Sequence, residues 1–169
     1  MVDNDSLRIE ESIRICNKVA KTLKKKFPDQ IMAIKDNTII PYSKKNKRLI
    51  KSHRKGMNGC LAFFTCTKPH RVVIKQKVLI TQEGWCGANW HSPTPLMENG
   101  KRKRYPHPDP RYVMKGPEIY GNYALVDLMC HELAHHRTTG GSHHKSFKIK
   151  YHRFLKYMVN QMISGEFYR

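Results

Sequence analysis

Two histidines and a glutamate in the run H-E-L-A-H (131–135) have the spacing of a metal site. Because an α-helix turns once in 3.6 residues, His131 and His135 project from the same face, and both imidazoles can reach one zinc ion. Glu132 then faces the coordination position where water binds, and it serves as a general base rather than as a ligand. The motif therefore predicts one catalytic zinc ion and a hydrolase, most often a peptidase.

The residues around this motif predict the helix that must position it. Apolar residues recur at i, i+3 and i+4 spacings, so we expect a helix over Asn122–Arg137. Asn122 is the expected N-cap, and Gly140-Gly141 is expected to stop the helix. Asp127 lies one turn before His131, where it either accepts a proton from a ligand imidazole or is a solvated helix residue. Spacing alone leaves both roles open.

A third protein ligand is needed, and the sequence offers His143 and His144. A metzincin has its third histidine six residues after the second one, and that position is Gly141. The only glutamate further downstream is Glu166, whose location near the C-terminus is poor for a rigid ligand. Ser142 can cap a new helix that begins at His143, so a ligand in the first turn of that helix is geometrically reasonable. The spacing does not choose between the two histidines.

The pattern H-E-L-A-H, a turn, and then H-x-x-x-F at the start of a second helix resembles the SprT-like zinc metallopeptidases. This group includes the Spartan proteases, which degrade proteins crosslinked to DNA, and it is related to the WLM and YgjP-like groups. The resemblance covers Cys60 to about Tyr157, apart from a long insertion. It implies a zinc-dependent metalloendopeptidase with a zincin-like fold that acts on protein substrates.

The same resemblance assigns the third ligand. In these families the helix-opening histidine of H-x-x-x-F binds zinc, which matches His143 followed by Phe147, whereas His144 stands where Spartan-type sequences usually have glycine. His136 is rotated about 100° from His135 on a helix, so His136 and His144 are expected on the polar surface. The implied site consists of the base Glu132 and the zinc ligands His131, His135 and His143.

The second informative feature is positive charge. The chain has 32 Lys and Arg against 13 Asp and Glu, a formal net charge of +19. Such a field attracts polyanions, so we expect a nucleic-acid partner, DNA rather than RNA. A solubilising surface or a localisation signal is the alternative. The residues assigned to nucleic-acid contact are Lys44, Lys45, Lys47, Arg48, Lys101, Arg102, Lys103, Arg104, Lys145, Lys148 and Lys156.

Two functions therefore stay open, a peptidase acting near nucleic acid and a nucleic-acid-binding protein with a structural zinc. A structural zinc site is closed by four protein ligands. Only three stand out in this sequence, and His144 or a cysteine would be an overlooked fourth. For the peptidase, a second group that stabilises the oxyanion is usual. The candidates are Tyr151, His152 and Tyr157.

Cysteine usage and hydropathy indicate the compartment. The five cysteines are odd in number and widely spread, without a C-x-x-C pair, which favours a reducing compartment. No apolar N-terminal segment and no membrane-length apolar run is present. We expect an intracellular protein, cytoplasmic or nuclear or nucleoid-associated, that is not secreted and does not contact a membrane. The sequence carries no signature of oligomeric state.

The periodicities predict an α+β fold in a single domain, residues 1–169. We expect a small antiparallel sheet packed with an N-terminal helix, the helix carrying the H-E-x-x-H motif and a long C-terminal helix. A low-hydropathy stretch from Thr81 to Gly121, rich in proline, is expected to be a long irregular insertion. The predicted helices and strands are Ser6–Phe27, a hairpin of Ile31–Ile34 and Thr38–Tyr42, Cys60–Lys68, His70–Ile80, Asn122–Arg137 and Ser142–Ile163.

The insertion has three possible roles. Its aromatic residues stand among basic ones, a combination that suits stacking on unpaired bases. The same aromatics would also pack the segment onto its own domain, and a segment of this length can serve as a lid over the zinc cleft. The aromatic residues concerned are Trp85, Trp90, Tyr105 and Tyr112.

Overall fold

The structure, a computed structural model, describes residues 3–31, 39–42, 61–65, 70–82, 91–92, 94–103, 120–136 and 143–169. Within these ranges it is an α+β fold, as predicted. Its helices are α1 (Asn4–Lys26), α2 (Gln76–Thr81), α3 (Tyr120–Ala134) and α4 (Lys145–Ile163), followed by a 3-10 turn at Glu166–Tyr168. Its strands are β1 (Ile39–Tyr42), β2 (Ala62–Phe64), β3 (Val72–Lys75), β4 (Met97–Glu98) and β5 (Lys101–Arg102).

Helix α1 begins two residues before the predicted start at Ser6 and ends one residue before the predicted end at Phe27. Asp3 is the N-cap, and its side chain accepts a hydrogen bond from the backbone N–H of Asp5. The helix ends at Lys26, just before Phe27 and Pro28, because proline disfavours helical backbone in the residue before it. The buried face of α1 consists of Ser12, Ile15, Cys16, Val19, Ala20 and Leu23.

The main sheet is mixed, so the prediction of an antiparallel sheet is wrong. The strand order is β1-β3-β2, with β1 parallel and β2 antiparallel to β3. The predicted hairpin partner of β1 began at Ile31, which lies buried in the turn after α1, and the rest of that predicted strand is outside the described residues. Alternation of apolar residues reports which face of a strand is buried, and this pattern is the same for either strand direction.

The predicted strand His70–Ile80 is a strand only over its first half. Its second half is helix α2, in which Val78 and Leu79 are buried. Ser12 of α1 donates a hydrogen bond of 2.6 Å from its hydroxyl to the backbone carbonyl of Leu79, so α2 is tied to α1. A short apolar run fits a buried strand or a buried helix equally well, and packing against α1 decides between them.

The insertion is not wholly irregular. Strands β4 and β5 form an antiparallel hairpin around Asn99 and Gly100, which have φ angles of 50° and 72°. Asn-Gly between two paired residues is the usual sequence of a tight hairpin turn, because both central residues need positive φ. That signal was in the sequence and was missed. Trp85, Trp90, Tyr105 and Tyr112 lie outside the described residues, so their three possible roles stay predictions.

Helices α3 and α4 pack against each other and build most of the core. The predicted buried face of α4 is confirmed, and it consists of Phe147, Tyr151, Phe154, Leu155, Met158, Val159 and Met162. Helix α3 begins at Tyr120, so Asn122 lies inside it and the predicted N-cap is wrong. Helix α4 begins at Lys145 with His144 at the N-cap position, two residues later than predicted. The proposed caps and stops at Gly140, Gly141 and Ser142 lie outside the described residues.

None of the helices in the described part of the chain has the length and apolar character needed to cross a bilayer.

The packing of α4 gives a stability prediction. Leu155 of α4 is fully buried in the hydrophobic core, whereas Ile149 on the same helix is 45% exposed. Leu155→Ala should lower the free energy of unfolding by about 2–5 kcal/mol, because it leaves a cavity, and Ile149→Ala should change it by less than about 1 kcal/mol. Urea denaturation of both variants measures the difference. Equal losses would contradict the assignment of the buried face.

Candidate metal centre

Three imidazoles converge where helix α3 ends and helix α4 begins. Nε2 of His131 lies 3.2 Å from Nε2 of His135 and 3.3 Å from Nε2 of His143. His131 is in the last turn of α3, His135 follows in the turn after that helix, and His143 precedes α4 by two residues. The structure thus brings together the three histidines that the sequence predicted as ligands.

The spacing of these nitrogens fits a zinc ion. Donors at 2.0–2.1 Å from a tetrahedral zinc lie about 3.3–3.4 Å from one another, close to the two separations at His131. A neutral imidazole nitrogen carries either one proton or one lone pair. Nε2 of His131 therefore cannot form an ordinary hydrogen bond with both of its neighbours at once, whereas a shared cation satisfies all three nitrogens. Neutral imidazoles are also donors that zinc prefers.

The ring of Phe147 forms the floor of the cluster and explains the phenylalanine of H-x-x-x-F. It stacks on His135 with ring centroids 4.4 Å apart, and it meets the edges of His131 and His143 at 5.0 Å and 4.8 Å. Phe147 is fully buried. Contact with one rigid ring limits the orientations of all three imidazoles, so packing fixes the arrangement of the rings.

Glu132 is buried between α3 and the edge of the sheet. The backbone N–H of Phe64 in β2 donates a hydrogen bond to its carboxylate. Burial raises the pKa of Glu132 to about 8, and the hydrogen bond from Phe64 opposes this rise. A carboxylate with a pKa near neutrality has the basicity suited to exchanging protons with a substrate at physiological pH.

Asp127 is a buried residue, which excludes the solvated one of its two expected roles. It is 2% exposed, and one of its carboxylate oxygens accepts a hydrogen bond from the hydroxyl of Tyr151 in α4. The Tyr151 ring in turn meets His131 edge-on, with centroids 5.4 Å apart. Asp127 therefore supports a predicted ligand through Tyr151. Because the hydroxyl of Tyr151 already donates its hydrogen bond to Asp127, Tyr151 is a poor candidate for stabilising an oxyanion.

The sequence analysis expected His136 on the polar surface, and this prediction is wrong. It is 4% exposed, and its ring packs against Phe64 and His70 at centroid distances of 5.8 Å and 5.3 Å. The turn that follows α3 redirects the chain, so the 100° rotation of a continuous helix no longer applies at this position. His144 is exposed, as predicted. Cys130 lies in the hydrophobic core with a pKa raised by burial, so it behaves as a core residue.

A fourth histidine, His91, joins the cluster from the insertion, and the sequence analysis missed it. Its ring centroid lies 4.8 Å from that of His131 and 4.1 Å from that of His143. One nitrogen from each of these three histidines lies within 4.8 Å of the others, so the three form a group that could hold a metal ion. His91 is not part of any motif, and it lies 40 residues before His131 in the sequence. The sequence analysis missed it because of this separation.

The imidazoles of the cluster resist protonation. Burial and neighbouring groups, including the His143 ring and Lys148, lower the pKa of His91 to about 3. Burial, with the nearby His143 ring and Lys150, lowers the pKa of His135 to about 4. Burial also lowers the pKa values of His131 and His143. The histidines are thus neutral at physiological pH, and neutral imidazole is the form that binds metal.

The described basic residues are at or near the protein surface. Lys101, Lys145 and Lys156 are exposed, and Arg102, Lys103 and Lys148 are partly exposed. Lys103 forms an ion pair of 3.0 Å with Glu98 across the β4–β5 hairpin. Arg102 and Lys148 lie close enough to His91 to act on its charge. Lys44, Lys45, Lys47, Arg48 and Arg104 lie outside the described residues, and their assignment to nucleic acid stays a prediction.

Comparison with protein-family models, with curated proteins and with solved structures finds no match to this chain. The likeness to the SprT-like group therefore rests on the residues of the motif itself.

The pKa shifts predict how the stability of the metal-free protein depends on pH. Unfolded histidines bind protons near 6.5, but folded His135 does so only near 4, so stability contributed by the cluster is lost as the pH falls from 6.5 towards 4. Glu132 acts in the opposite sense, because its folded pKa of about 8 exceeds the ordinary 4.5, and its contribution is lost as the pH rises from 4.5 to 8. The free energy of unfolding should peak near pH 6.5.

Urea denaturation in the presence of a chelator, from pH 4.5 to pH 8.5, measures this profile. The Glu132→Gln variant should lose the alkaline decline and keep the acidic one, because only the histidines still titrate differently in the folded state. A profile of the Glu132→Gln variant that is flat between pH 4.5 and pH 6.5 would contradict the burial of neutral imidazoles.

Proposed function

We propose that this protein is a zinc-dependent metalloprotease that resembles the SprT-like group and has a zincin-like active site. The proposal rests on Nε2 of His131, which lies at zinc spacing from the Nε2 atoms of both His135 and His143 and is next in sequence to a buried glutamate. His131, His135 and His143 hold the ion, and Glu132 is the catalytic base. Zinc in such a site lowers the pKa of a bound water to about 7 and polarises the carbonyl that is attacked.

The protein's own groups then move the proton. Glu132 takes a proton from the attacking water and delivers it to the leaving amine as the peptide bond breaks. Its burial makes it a stronger proton acceptor, because desolvation raises the pKa of the carboxylate. The hydrogen bond from the backbone of Phe64 fixes the position of the carboxylate.

The position of β2 favours a peptide as the substrate. Thr65 donates its backbone N–H to the carbonyl of Arg71 at 2.8 Å, so in this antiparallel pair Thr65 faces β3 while Phe64 and Ala62 face the opposite edge. Glu132 is hydrogen-bonded to Phe64 on that outer edge. An extended peptide that adds to the edge of a sheet forms backbone hydrogen bonds along it. Such a peptide would lie beside the catalytic base.

The distribution of charge supports substrates that are bound to nucleic acid. The chain carries a formal net charge of +19. Arg102 of the hairpin and Lys148 of α4 both act on His91, so cations border the metal cluster itself. A polyanion drawn to this surface would be held next to the site, and a protein attached to it would be presented for cleavage. We propose DNA as the polyanion.

A second function, a nucleic-acid-binding protein with a structural zinc, is favoured by one observation. His91 supplies a possible fourth ligand, and four protein ligands close a structural site. The position of Glu132 beside the cluster favours the protease, because a structural centre does not need a buried base.

The decisive variant is Glu132→Gln, which keeps the shape of the side chain and a hydrogen-bond acceptor for Phe64. We expect it to bind zinc one to one and to lose about 100-fold or more of the rate of casein cleavage, because the proton acceptor is gone. Glu10→Gln is the control, since Glu10 is exposed on α1. Casein cleavage by the variant at the wild-type rate would eliminate Glu132 as the base.

The nucleic-acid part of the proposal is tested in the same assay. Cleavage by the wild-type protein should increase when single-stranded DNA is added, and the increase should disappear at high salt because the contacts are ionic. Cleavage that is indifferent to DNA and salt would show that the charge serves only solubility. Bound zinc without cleavage under any condition would favour the structural role.

A further inference from the structure

His91 is a buried polar side chain that lies against two of the predicted metal ligands. It is 6% exposed, and its neighbour Ser92 is 2% exposed. Its ring lies against His131, His143 and the edge of Phe147, at centroid distances of 4.8, 4.1 and 5.9 Å. Two of the rings that it faces, His131 and His143, belong to predicted metal ligands.

The ring spacings place His91 in the same shell as the three predicted ligands. The centroids of His131, His135 and His143 are 4.9 to 5.1 Å apart, and the centroid of His91 is 4.8 Å from that of His131. Imidazoles that share a tetrahedral zinc through one nitrogen each have centroids roughly 5 Å apart, given Zn–N bonds of 2.0–2.1 Å. His91 thus approaches His131 at the distance of a ligand, and its ring is closer, at 4.1 Å, to that of His143.

We propose that His91 is a fourth protein ligand that takes the coordination position needed by water, so that the conformation described here is a latent form of the metal centre. Hydrolysis then requires His91 to leave. Ligation by His91 stands independently, whereas latency rests on the proposed protease function.

The geometry favours a displaceable ligand over a permanent one. The Nε2 atoms of His135 and His143 are at 3.2 and 3.3 Å from that of His131. His131 is thus already at zinc spacing from both of these ligands without His91. Each of them is attached to α3 or to the start of α4, while His91 comes from a separate segment of the chain. Glu132 lies buried beside the cluster, where a permanently closed centre has no use for it.

Cobalt substitution of the full chain tests ligation without relying on activity. Co²⁺ in place of zinc gives visible absorption bands whose position and intensity depend on the number and type of ligands. We expect His91→Ala to change this spectrum, because a water replaces an imidazole, and to weaken zinc affinity by about tenfold or more. His144→Ala is the matched control, since His144 is exposed beside His143, and it should give the wild-type spectrum.

Casein cleavage then tests latency. If His91 is bound at least about 90% of the time, His91→Ala should cleave casein at least about tenfold faster than the wild type. The double variant His91→Ala/Glu132→Gln should abolish this gain. His91→Gln, which keeps a polar side chain of similar reach, serves as the second variant if the alanine variant does not fold by circular dichroism.

The outcomes separate the two proposals. A cobalt spectrum of His91→Ala or His91→Gln identical to that of the wild type overturns ligation by His91. A changed spectrum with cleavage slower than, or equal to, that of the wild type overturns latency while the protease function stands. A changed spectrum with no cleavage by any variant overturns the protease function and latency together, and leaves a four-histidine structural site.

Discussion

The convergence of several uncharged imidazoles on one point is the constraint on which the rest of the structure depends. Nitrogens as close as 3.2 Å cannot all carry protons, so the cluster must be neutral and suited to share a cation. Burial keeps the rings neutral, and Phe147 keeps them oriented. Both conditions come from the packing of α3 against α4, whose apolar faces provide the stabilisation that offsets the burial of polar rings.

The same packing arranges the two acidic residues around the cluster in different ways. Asp127 is turned towards α4, where the hydroxyl of Tyr151 donates to it, and so it braces the helix pair beneath His131. Glu132 is turned towards the sheet, where the backbone of Phe64 holds it at an outer edge. The carboxylate of Asp127 therefore stabilises the helix pair, and that of Glu132 lies beside the histidine cluster with a raised pKa. The two acidic residues differ in role because they have different hydrogen-bond partners.

Periodicity predicted the helices well and the sheet less well. The buried face of α4 followed directly from its 3.6-residue spacing, because seven apolar positions on one stripe admit no other arrangement. The errors fell where local sequence is compatible with two structures. Gln76–Thr81 is apolar enough for strand or helix, and the direction of β1 leaves no trace in its side chains. The Asn99-Gly100 turn was readable from sequence and was overlooked.

The sequence by itself determined the pair His131 and His135 with Glu132 between them, because their relation is local and a single helix turn fixes it. The motif resemblance added His143. Only the tertiary structure decided that His91 joins them, that His136 is buried against Phe64, and that Glu132 reaches the edge of β2. Those contacts join segments that are distant in the chain. Their distances depend on how α3, α4 and the sheet pack together, and no spacing within one segment encodes that packing.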